Sequence, residues 1–349
     1  MRGLFTGLVG SLALAVALIY SVFAQAVFAQ DEVKELNLYS SRHYQTDEAL
    51  YGNFTAETGI RINRLEGRGD ELIERIRNEG VNSPADVLIT VDAGRLWRAE
   101  QAGIFAATTS AALDAAVPAN LRHPDGLWYG FSTRARLIFY NKELIDPAGL
   151  EGYEDLADAK WRDQICIRSS SNIYNLSLMA ALIAHHGEEA AEAWAEGVVA
   201  NFARQPQGGD TDQIRAVAAG ECGIAVANSY YFARLMRSTS LEDQAVVAKI
   251  GVVFPNQGDR GTHVNVSGAG MAKNAPNPEH ARLFLEYLAS EPAQRYFADG
   301  NNEYPAVASV APNAALGELG AFTVDSLNVS ALGRNQAAAQ VAFDRAGWK

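Results

Sequence analysis

Residues 85–92 read ADVLITVD, a mostly apolar run typical of a strand buried on both faces. Upstream, residues 37–41 (NLYSS) form a short strand-like run that breaks into polar residues, and residues 60–67 (IRINRLEG) alternate as a strand does. Apolar residues at helical spacing separate these runs. The β-α-β-α-β order predicts a doubly wound α/β sheet, with ligands bound beyond the carboxyl ends of the strands.

The helix before this third strand is predicted to begin at a capping Asp70 and to run through Glu79, because Gly80 is a stop signal. A second α/β unit follows, with strand-like runs at 164–170 (QICIRSS) and 222–229 (CGIAVANS). The 349 residues exceed one typical domain of about 100–200 residues. We therefore expect two α/β lobes with short crossings between them.

The overall charge argues against a nucleic-acid partner. The chain has 29 Lys and Arg against 41 Asp and Glu, which gives a formal net charge of −12. Nucleic-acid affinity depends on clustered basic residues. No GxGxxG follows a strand and no GxxxxGK[ST] motif occurs, so a nucleotide-phosphate loop is also not expected. An acidic surface attracts cations, but only loosely.

Residues 1–29 have the pattern of a secretory signal peptide. Arg2 precedes a long apolar stretch that ends in small-residue sites, and Ala29 is the expected cleavage point. The alternative is an uncleaved membrane anchor, because the stretch approaches the roughly 20 residues that a spanning helix needs. The polar QDEVKE that follows favours cleavage and a soluble, exported mature protein.

Two cysteines, Cys166 and Cys222, are candidates for a disulfide. An exported protein meets an oxidising compartment, and the even count agrees with pairing. Two buried, inert thiols are the alternative, because sequence spacing does not give the distance between the Cα atoms.

Four tyrosines stand where a strand gives way to a helix: Tyr44, Tyr174, Tyr230 and Tyr231. Strand ends of this kind face the ligand crevice of an α/β sheet, so the four side chains are expected to meet there. Arg234 follows Tyr230 by four residues and therefore shares its side of the helix.

Several tyrosines with few carboxylates suggest a trivalent hard cation. A phenol is a poor ligand until it loses its proton, and a strongly charged metal supplies the energy for that loss. Ca²⁺ and Mg²⁺ prefer carboxylates and carbonyls, while Zn²⁺ prefers Cys and His, so the set points to Fe³⁺. The open alternative is that the tyrosines stack against a sugar or an organic cation.

Competing constellations have simpler interpretations. The pair His185-His186 lies at a predicted helix end, where a cation suits the helix dipole, and His263 is expected to make a structural hydrogen bond. Glu66 and Asp92 close two strands and resemble a carboxylate pair for hydrolysis. No Ser-His-Asp or Cys-His set accompanies them, so we do not expect an enzyme.

At these tyrosines the sequence resembles a known family, the periplasmic ferric-iron-binding proteins of bacterial ABC importers. These are transferrin-like members of the type 2 periplasmic-binding-protein superfamily. The RHY element (42–44) and the YY pair (230–231) are the discriminating motifs. The matching segments extend from about residue 36 to 305 and are YSSRHYQTDEALY, FTAETGI, SPADVLITVD, LWRAEQAGIF, RSSSNIYNLSL, FARQPQGGDT, ANSYYFARL, FPNQGDRGTHVNVSG and EPAQ.

The resemblance implies that Tyr44, Tyr174, Tyr230 and Tyr231 bind Fe³⁺ and that His43 is a fifth or conditional ligand. It also implies that Arg134 and Arg234 offset the phenolate charge. Fe²⁺ is a lesser alternative, and an obligatory synergistic anion is in doubt because the RHY element has no evident carboxylate.

The implied fold is two doubly wound α/β lobes joined by hinge strands. Residues 30–131 with about 256–305 would form the N-terminal lobe, and residues 132–255 with about 306–349 the C-terminal lobe. The implied protein is a periplasmic monomer whose partner is an inner-membrane ABC permease with its ATPase. The rival hypothesis is a receptor for a small organic or anionic solute.

Overall fold

Nine strands form one mixed sheet in the computed structural model, which describes residues 34–42 and 44–349. The predicted leader, residues 1–29, and the candidate ligand His43 lie outside the described residues. The strands are β1 (Glu35–Ser40), β2 (Arg61–Glu66), β3 (Val87–Val91), β4 (Tyr129–Asn141), β5 (Ile165–Cys166), β6 (Ile224–Asn228), β7 (Ile250–Val253), β8 (Val264–Met271) and β9 (Tyr304–Pro305).

The sheet order is β2-β1-β3-β8-β4-β6-β5, and β7 and β9 also pair with β4. β1 and β3 are parallel, as are β5 and β6, so each pair presents its carboxyl ends at one edge. β8 and β4 run antiparallel to their neighbours in the middle of the sheet. The α/β class predicted from the sequence is confirmed, with antiparallel strands between the two parallel pairs.

β4 connects the two halves of the sheet. Its first half, from Tyr129 to Ala135, pairs with β8, and its second half, from Arg136 onward, pairs with β6 and β7. Side chains alternate along a strand, so Arg134 and Arg136 project from the same face of β4. One lies opposite Asn265 of β8 and the other opposite Asn228 of β6.

Helices cover the sheet, and the residues that begin them position the site. They are α1 (Asp47–Thr58), α2 (Gly69–Glu79), α3 (Ala93–Gln101), α4 (Ala111–Ala116), α5 (Ile173–His186), α6 (Glu188–Ala200), α7 (Asp210–Ala219), α8 (Ser229–Met236), α9 (Leu241–Lys249), α10 (Pro278–Leu288), α11 (Glu291–Asn301), α12 (Ala314–Glu318), α13 (Ser330–Arg334) and α14 (Gln336–Ala346).

One predicted helix start is wrong by a single position. α2 begins at Gly69, and the residue before it is Arg68 in an extended conformation, so Asp70 does not cap the helix. Asp70 instead lies in the first turn, where its charge suits the positive end of the helix dipole, and it accepts a hydrogen bond from Arg98 Nε at 2.9 Å.

The β6 strand is buried on both faces, which accounts for its continuous apolar sequence. Ala225 and Ala227 belong to one hydrophobic cluster with β1, β3 and β8, while Ile224 and Val226 belong to a second cluster with α5, α6 and α14. Two cores thus meet at this strand. No helix within residues 34–42 and 44–349 is both long enough and apolar enough to cross a membrane.

Candidate functional site

The four tyrosines lie just beyond strand ends, at or before helix starts. Tyr174 is the second residue of α5, and the side chain of the capping Asn172 accepts a hydrogen bond from its backbone N at 3.1 Å. Tyr230 and Tyr231 are the second and third residues of α8, directly after β6. Tyr44 lies between β1 and α1. Local sequence therefore places each phenol at the edge of the sheet where ligands bind.

The fold brings these four side chains together. The hydroxyl oxygens of Tyr174 and Tyr230 are 3.3 Å apart, and the rings of Tyr230 and Tyr231 have centroids 4.2 Å apart at 30°. Tyr44 interacts electrostatically with both Tyr174 and Tyr230. Because α5 and α8 begin at this point, the positive ends of two helix dipoles also lie at the phenols.

Burial raises the pKa of three of these phenols above that of an ordinary tyrosine. It raises the pKa of Tyr230, which is 3% exposed, well above 10, and charge on the other three tyrosines would raise it further. Burial and the nearby Tyr174 and Asp210 raise the pKa of Tyr231 to about 12. The pKa of Tyr44 is also raised, by burial and by Glu303. These three phenols are therefore neutral at neutral pH unless a bound cation displaces their protons.

A buried group of charges lies beneath Tyr44, and we call Arg42, Asp47, Arg134 and Glu303 the Tyr44 cluster. Arg42 Nε donates to Asp47 Oδ2 at 2.8 Å, and its guanidinium carbon lies 4.8 Å from the Tyr44 ring centroid. Glu303 accepts from Arg42 at 3.4 Å and from Arg134 at 3.2 Å. Two arginines and two carboxylates balance, so this cluster is neutral overall.

A second buried group lies beneath the other three tyrosines, and we call Arg136, Arg168, Asn175, Asp210 and Asn228 the Asp210 cluster. Arg136 donates to Asp210 Oδ2 at 2.7 Å, to Asn175 Oδ1 at 2.7 Å and to Asn228 Oδ1 at 3.1 Å. Arg168 donates to Asp210 Oδ1 at 3.4 Å. Two arginines share one carboxylate, so this cluster has a surplus of one positive charge.

The two arginines singled out from the sequence have different surroundings. Arg134 is buried, and its charge interacts with Tyr44, Tyr174 and Tyr230. Arg234 is exposed, and its guanidinium carbon lies 5.7 Å from the Tyr231 ring centroid. The spacing argument placed Arg234 on the correct side of the helix but did not indicate its exposure.

Sequence reasoning missed the remaining charged residues of both clusters: Arg42, Asp47, Arg136, Arg168, Asp210 and Glu303. One signal was available, because the RAR motif at 134–136 puts two arginines on one face of an otherwise apolar strand. Glu303 had no such signal. It follows α11 and lies 261 residues from its partner Arg42, so only the folded chain brings them together.

A cavity of about 710 Å³ opens beside Tyr231. Arg215, Arg234 and Arg237 line it together with Thr46 and Asp299. Three arginines give this opening a positive character, although Asp243 pairs with Arg215.

Cys166 and Cys222 form a disulfide, with their Cα atoms 5.9 Å apart. Cys166 ends β5, the strand that leads to Tyr174, and Cys222 precedes β6, the strand that leads to Tyr230 and Tyr231. The bond therefore joins the two segments that deliver three of the four phenols.

Two of the histidines considered from the sequence have carboxylate partners. His185 Nε2 lies 2.7 Å from Asp325 Oδ2, and His186 Nε2 lies 2.8 Å from Glu154 Oε1. Burial, with the nearby Arg136, lowers the pKa of His263 to about 3. Within residues 34–42 and 44–349, no group of three or more His, Cys, Asp or Glu side chains is arranged to hold a metal.

The two candidate carboxylates for hydrolysis have separate structural contacts. Asp92 caps α3, accepting from Gly94 N at 2.8 Å, and also accepts from Ser177 Oγ at 2.9 Å. Glu66 is exposed and forms an ion pair with Arg64 at 3.1 Å. Asp92 and Glu66 thus contact different partners and do not form a pair, whereas the four tyrosines lie together.

Comparisons with known proteins agree with this architecture. Residues 82–320 match the family model described as bacterial extracellular solute-binding protein. Iron uptake protein A2 of Synechocystis is 55% identical over 92% of each chain. A solved Trichodesmium structure in complex with iron and citrate ligands is 59% identical, with a TM-score of 0.88, and the match covers 90% of this chain and all of that one. A solved ferric-binding protein from Campylobacter jejuni is 39% identical, with a TM-score of 0.84, over 90% of this chain and all of that one.

The resemblance drawn from the RHY and YY motifs is confirmed by these matches, and so is the type 2 periplasmic-binding-protein fold. By its description, the matched family consists of bacterial proteins that bind solutes outside the cell. With more than half of its length matched by the family model and a 55% identical relative, this chain belongs to the bacterial extracellular solute-binding proteins.

Proposed function

We propose that this chain is a periplasmic receptor that captures Fe³⁺ between two lobes. The ligands are the phenolates of Tyr44, Tyr174, Tyr230 and Tyr231, and the ion is delivered to an inner-membrane ABC permease with its ATPase. The observation that carries the proposal is the convergence of the four phenols, with the hydroxyl oxygens of Tyr174 and Tyr230 3.3 Å apart.

The donor chemistry favours a trivalent hard cation. Tyr44, Tyr230 and Tyr231 must lose protons at pKa values raised by burial, and a higher cation charge offsets more of that cost. Four phenolates and Fe³⁺ together carry one negative charge, which the positive Asp210 cluster balances. Fe²⁺ would leave two negative charges with the same ligands and is the weaker candidate.

The relatives support iron as the cargo. The Synechocystis relative is named an iron uptake protein, and the Trichodesmium relative was solved with iron and citrate. Citrate chelates ferric iron through its carboxylates and keeps the ion dissolved. We therefore propose that this chain takes iron from a carboxylate chelate. His43, beside Tyr44, is a proposed conditional fifth ligand.

We propose that β4 and β8 act as the hinge strands between the lobes. Tyr44 comes from the predicted N-terminal lobe, residues 30–131 with about 256–305, and the other three tyrosines come from the C-terminal lobe. An ion that binds phenols from both lobes has a higher affinity for the closed state and therefore favours closure. Residues 1–29 are proposed to direct export and then to be removed after Ala29.

Acid should release the ion. Because the folded protein holds its phenols protonated, binding releases protons, and the affinity for Fe³⁺ falls as the pH falls. A titration at pH 8, 7 and 6 is expected to show weaker binding at each step, accompanied by proton release. An affinity independent of pH would contradict phenolate ligation.

The direct test is a titration of the protein without its leader, using ferric citrate and visible absorption. A phenolate-to-iron band is expected in the wild type and should weaken in Tyr230→Phe. Tyr287→Phe is the matched control, because its hydroxyl donates to the backbone oxygen of Leu50 at 3.0 Å within a core. If the wild type shows no visible band, the iron proposal is wrong.

A second candidate function, a receptor for a small anionic solute, is favoured by the cavity of about 710 Å³ lined by Arg215, Arg234 and Arg237. A ligand that binds only the folded state raises the melting temperature. Thermal unfolding with citrate in the presence of a metal chelator separates the two functions. Stabilisation without metal supports the solute receptor, whereas stabilisation only with ferric citrate supports the iron receptor.

A further inference from the structure

We infer that the Asp210 cluster determines how strongly the three-tyrosine side of the site binds its cation. Arg136 acts as a positioning residue for Tyr174, Tyr230 and Tyr231, and Arg168 supplies the positive charge that favours their phenolate forms. The inference rests on the proposed ferric function and extends it to residues behind the phenols.

The positioning role follows from what Arg136 contacts. Its guanidinium donates to Asn175 Oδ1 at 2.7 Å, and Asn175 is the residue after Tyr174. It also donates to Asn228 Oδ1 at 3.1 Å, two residues before Tyr230. A single buried side chain thus holds the starts of α5 and α8 at a fixed separation, and these are the two places where the phenols emerge.

Further hydrogen bonds of Asp210 and Asn175 tighten this arrangement. Asp210 Oδ2 accepts one hydrogen bond from the Arg136 guanidinium at 2.7 Å and another from the backbone N of Asn228 at 2.8 Å. The amide nitrogen of Asn175 donates to the backbone oxygens of Arg168 and Ser169, at 2.9 and 3.1 Å. The turn before Tyr174 and the turn before Tyr230 are therefore connected through one hydrogen-bonded network, whose members rigidify one another.

The charge role follows from the imbalance of the cluster. Arg136 and Arg168 share the single carboxylate of Asp210, so one positive charge is left over. Their guanidinium carbons lie 5.9 and 5.5 Å from the Tyr174 ring centroid. A partly buried cation at this range stabilises a phenolate more than a fully exposed one would.

Arg168 is the better of the two arginines for mutation. Its side chain is 21% exposed and makes one ion pair, whereas the side chain of Arg136 is 2% exposed and anchors three partners. Arg168→Gln removes the charge and Arg168→Lys keeps it. Arg204→Gln is the matched control: Arg204 is 24% exposed, its Nε donates to Cys166 Sγ at 3.2 Å at the end of β5, and it pairs with Glu221 at 3.9 Å rather than with Asp210.

The experiment compares these variants by ferric binding in competition with citrate, by the position of the visible band and by melting of the metal-free protein. We expect Arg168→Gln to bind ferric ion at least about tenfold more weakly, given the strength of charge interactions in a partly buried site. The band of Arg168→Gln should lie at longer wavelength than that of the wild type. A cation beside a phenolate lowers the energy of the phenolate electrons, so its removal reduces the energy needed to transfer an electron to iron. Arg168→Lys should have the ferric affinity and the band position of the wild type, and so should Arg204→Gln.

Arg136→Lys separates the two roles. It keeps the charge but cannot span Asn175, Asn228 and Asp210 together, so affinity should fall while the band stays near its wild-type position. Equal affinity and band position in Arg168→Gln and Arg204→Gln would overturn the inference while leaving the ferric function intact. A wild-type protein without a visible band would overturn both.

Discussion

The Tyr44 cluster and the Asp210 cluster are built alike but carry different charge. Each places a buried carboxylate between two arginines, and one arginine of each pair, Arg134 or Arg136, comes from the same face of β4. Only the Tyr44 cluster has a second carboxylate, Asp47. The neutral cluster lies beneath one phenol and the positive cluster beneath three, so positive charge is placed where most phenolate charge would form.

The two sides also differ in how they are held together. The segments that carry Tyr174 and Tyr230 are joined by the Cys166–Cys222 disulfide, whereas Tyr44 is held through ion pairs and packing. In the proposed mechanism the three-tyrosine side is the prearranged half, and the Tyr44 side completes the ligand set on closure.

Removing the carboxylate of Asp210 should have the largest effect on the difference in charge between the Asp210 cluster and the Tyr44 cluster. Asp210→Asn leaves the buried Arg136 and the partly buried Arg168 without their counter-charge, and breaking a buried pair costs about 3–5 kcal/mol. Glu303→Gln should cost less, because one carboxylate, Asp47, still remains for the two buried arginines Arg42 and Arg134. Urea unfolding of the metal-free protein measures both free energies. Equal losses would mean that the surplus charge has no energetic consequence.

The control for this comparison is Glu291→Gln. Glu291 is exposed and forms an ion pair with Arg295 one helical turn away, so its loss should change the free energy of unfolding by less than about 0.5 kcal/mol.

Removing the disulfide should have the next largest effect. The bond closes a loop with a sequence separation of 56, and chain entropy predicts a stabilisation of about 4 kcal/mol, with typical measured values of about 2–4 kcal/mol. The double variant Cys166→Ala, Cys222→Ala should unfold at correspondingly lower urea concentration.

Reductant provides the control for that variant. It should destabilise the wild type by a similar amount and leave the double variant unchanged. If the double variant were as stable as the wild type, the three-tyrosine side would not depend on a covalent link.

Arg234→Gln should give the smallest effect. Arg234 is exposed beside Tyr231, so its removal should change the free energy of unfolding by less than about 0.5 kcal/mol. Any loss of ferric affinity should disappear in about 0.5 M salt, because solvent-exposed charges are screened. The effect of Arg168→Gln should persist in the same salt. An Arg234 effect that resists salt would contradict this distinction between exposed and partly buried charge.

Much of the fold could be predicted because it follows from local pattern. The alternation of residues 60–67 and the apolar run at 85–92 correspond to β2 and β3, and Gly80 follows the end of α2. The start of α2 was misplaced at Asp70, since an acidic residue suits both the cap and the first turn of a helix. The antiparallel positions of β4 and β8 depend on long-range pairing, which local pattern does not encode.

The sequence by itself determined where the four tyrosines lie, at strand-to-helix junctions, because residue type and strand ends are both local properties. Only the tertiary structure decided their electrostatic surroundings. Arg42 meets Glu303 across 261 residues, and Arg136 meets Asp210 across 74. Charged residues at such separations become partners only when the sheet is assembled, since a buried charge is stable only beside the partner that the fold provides.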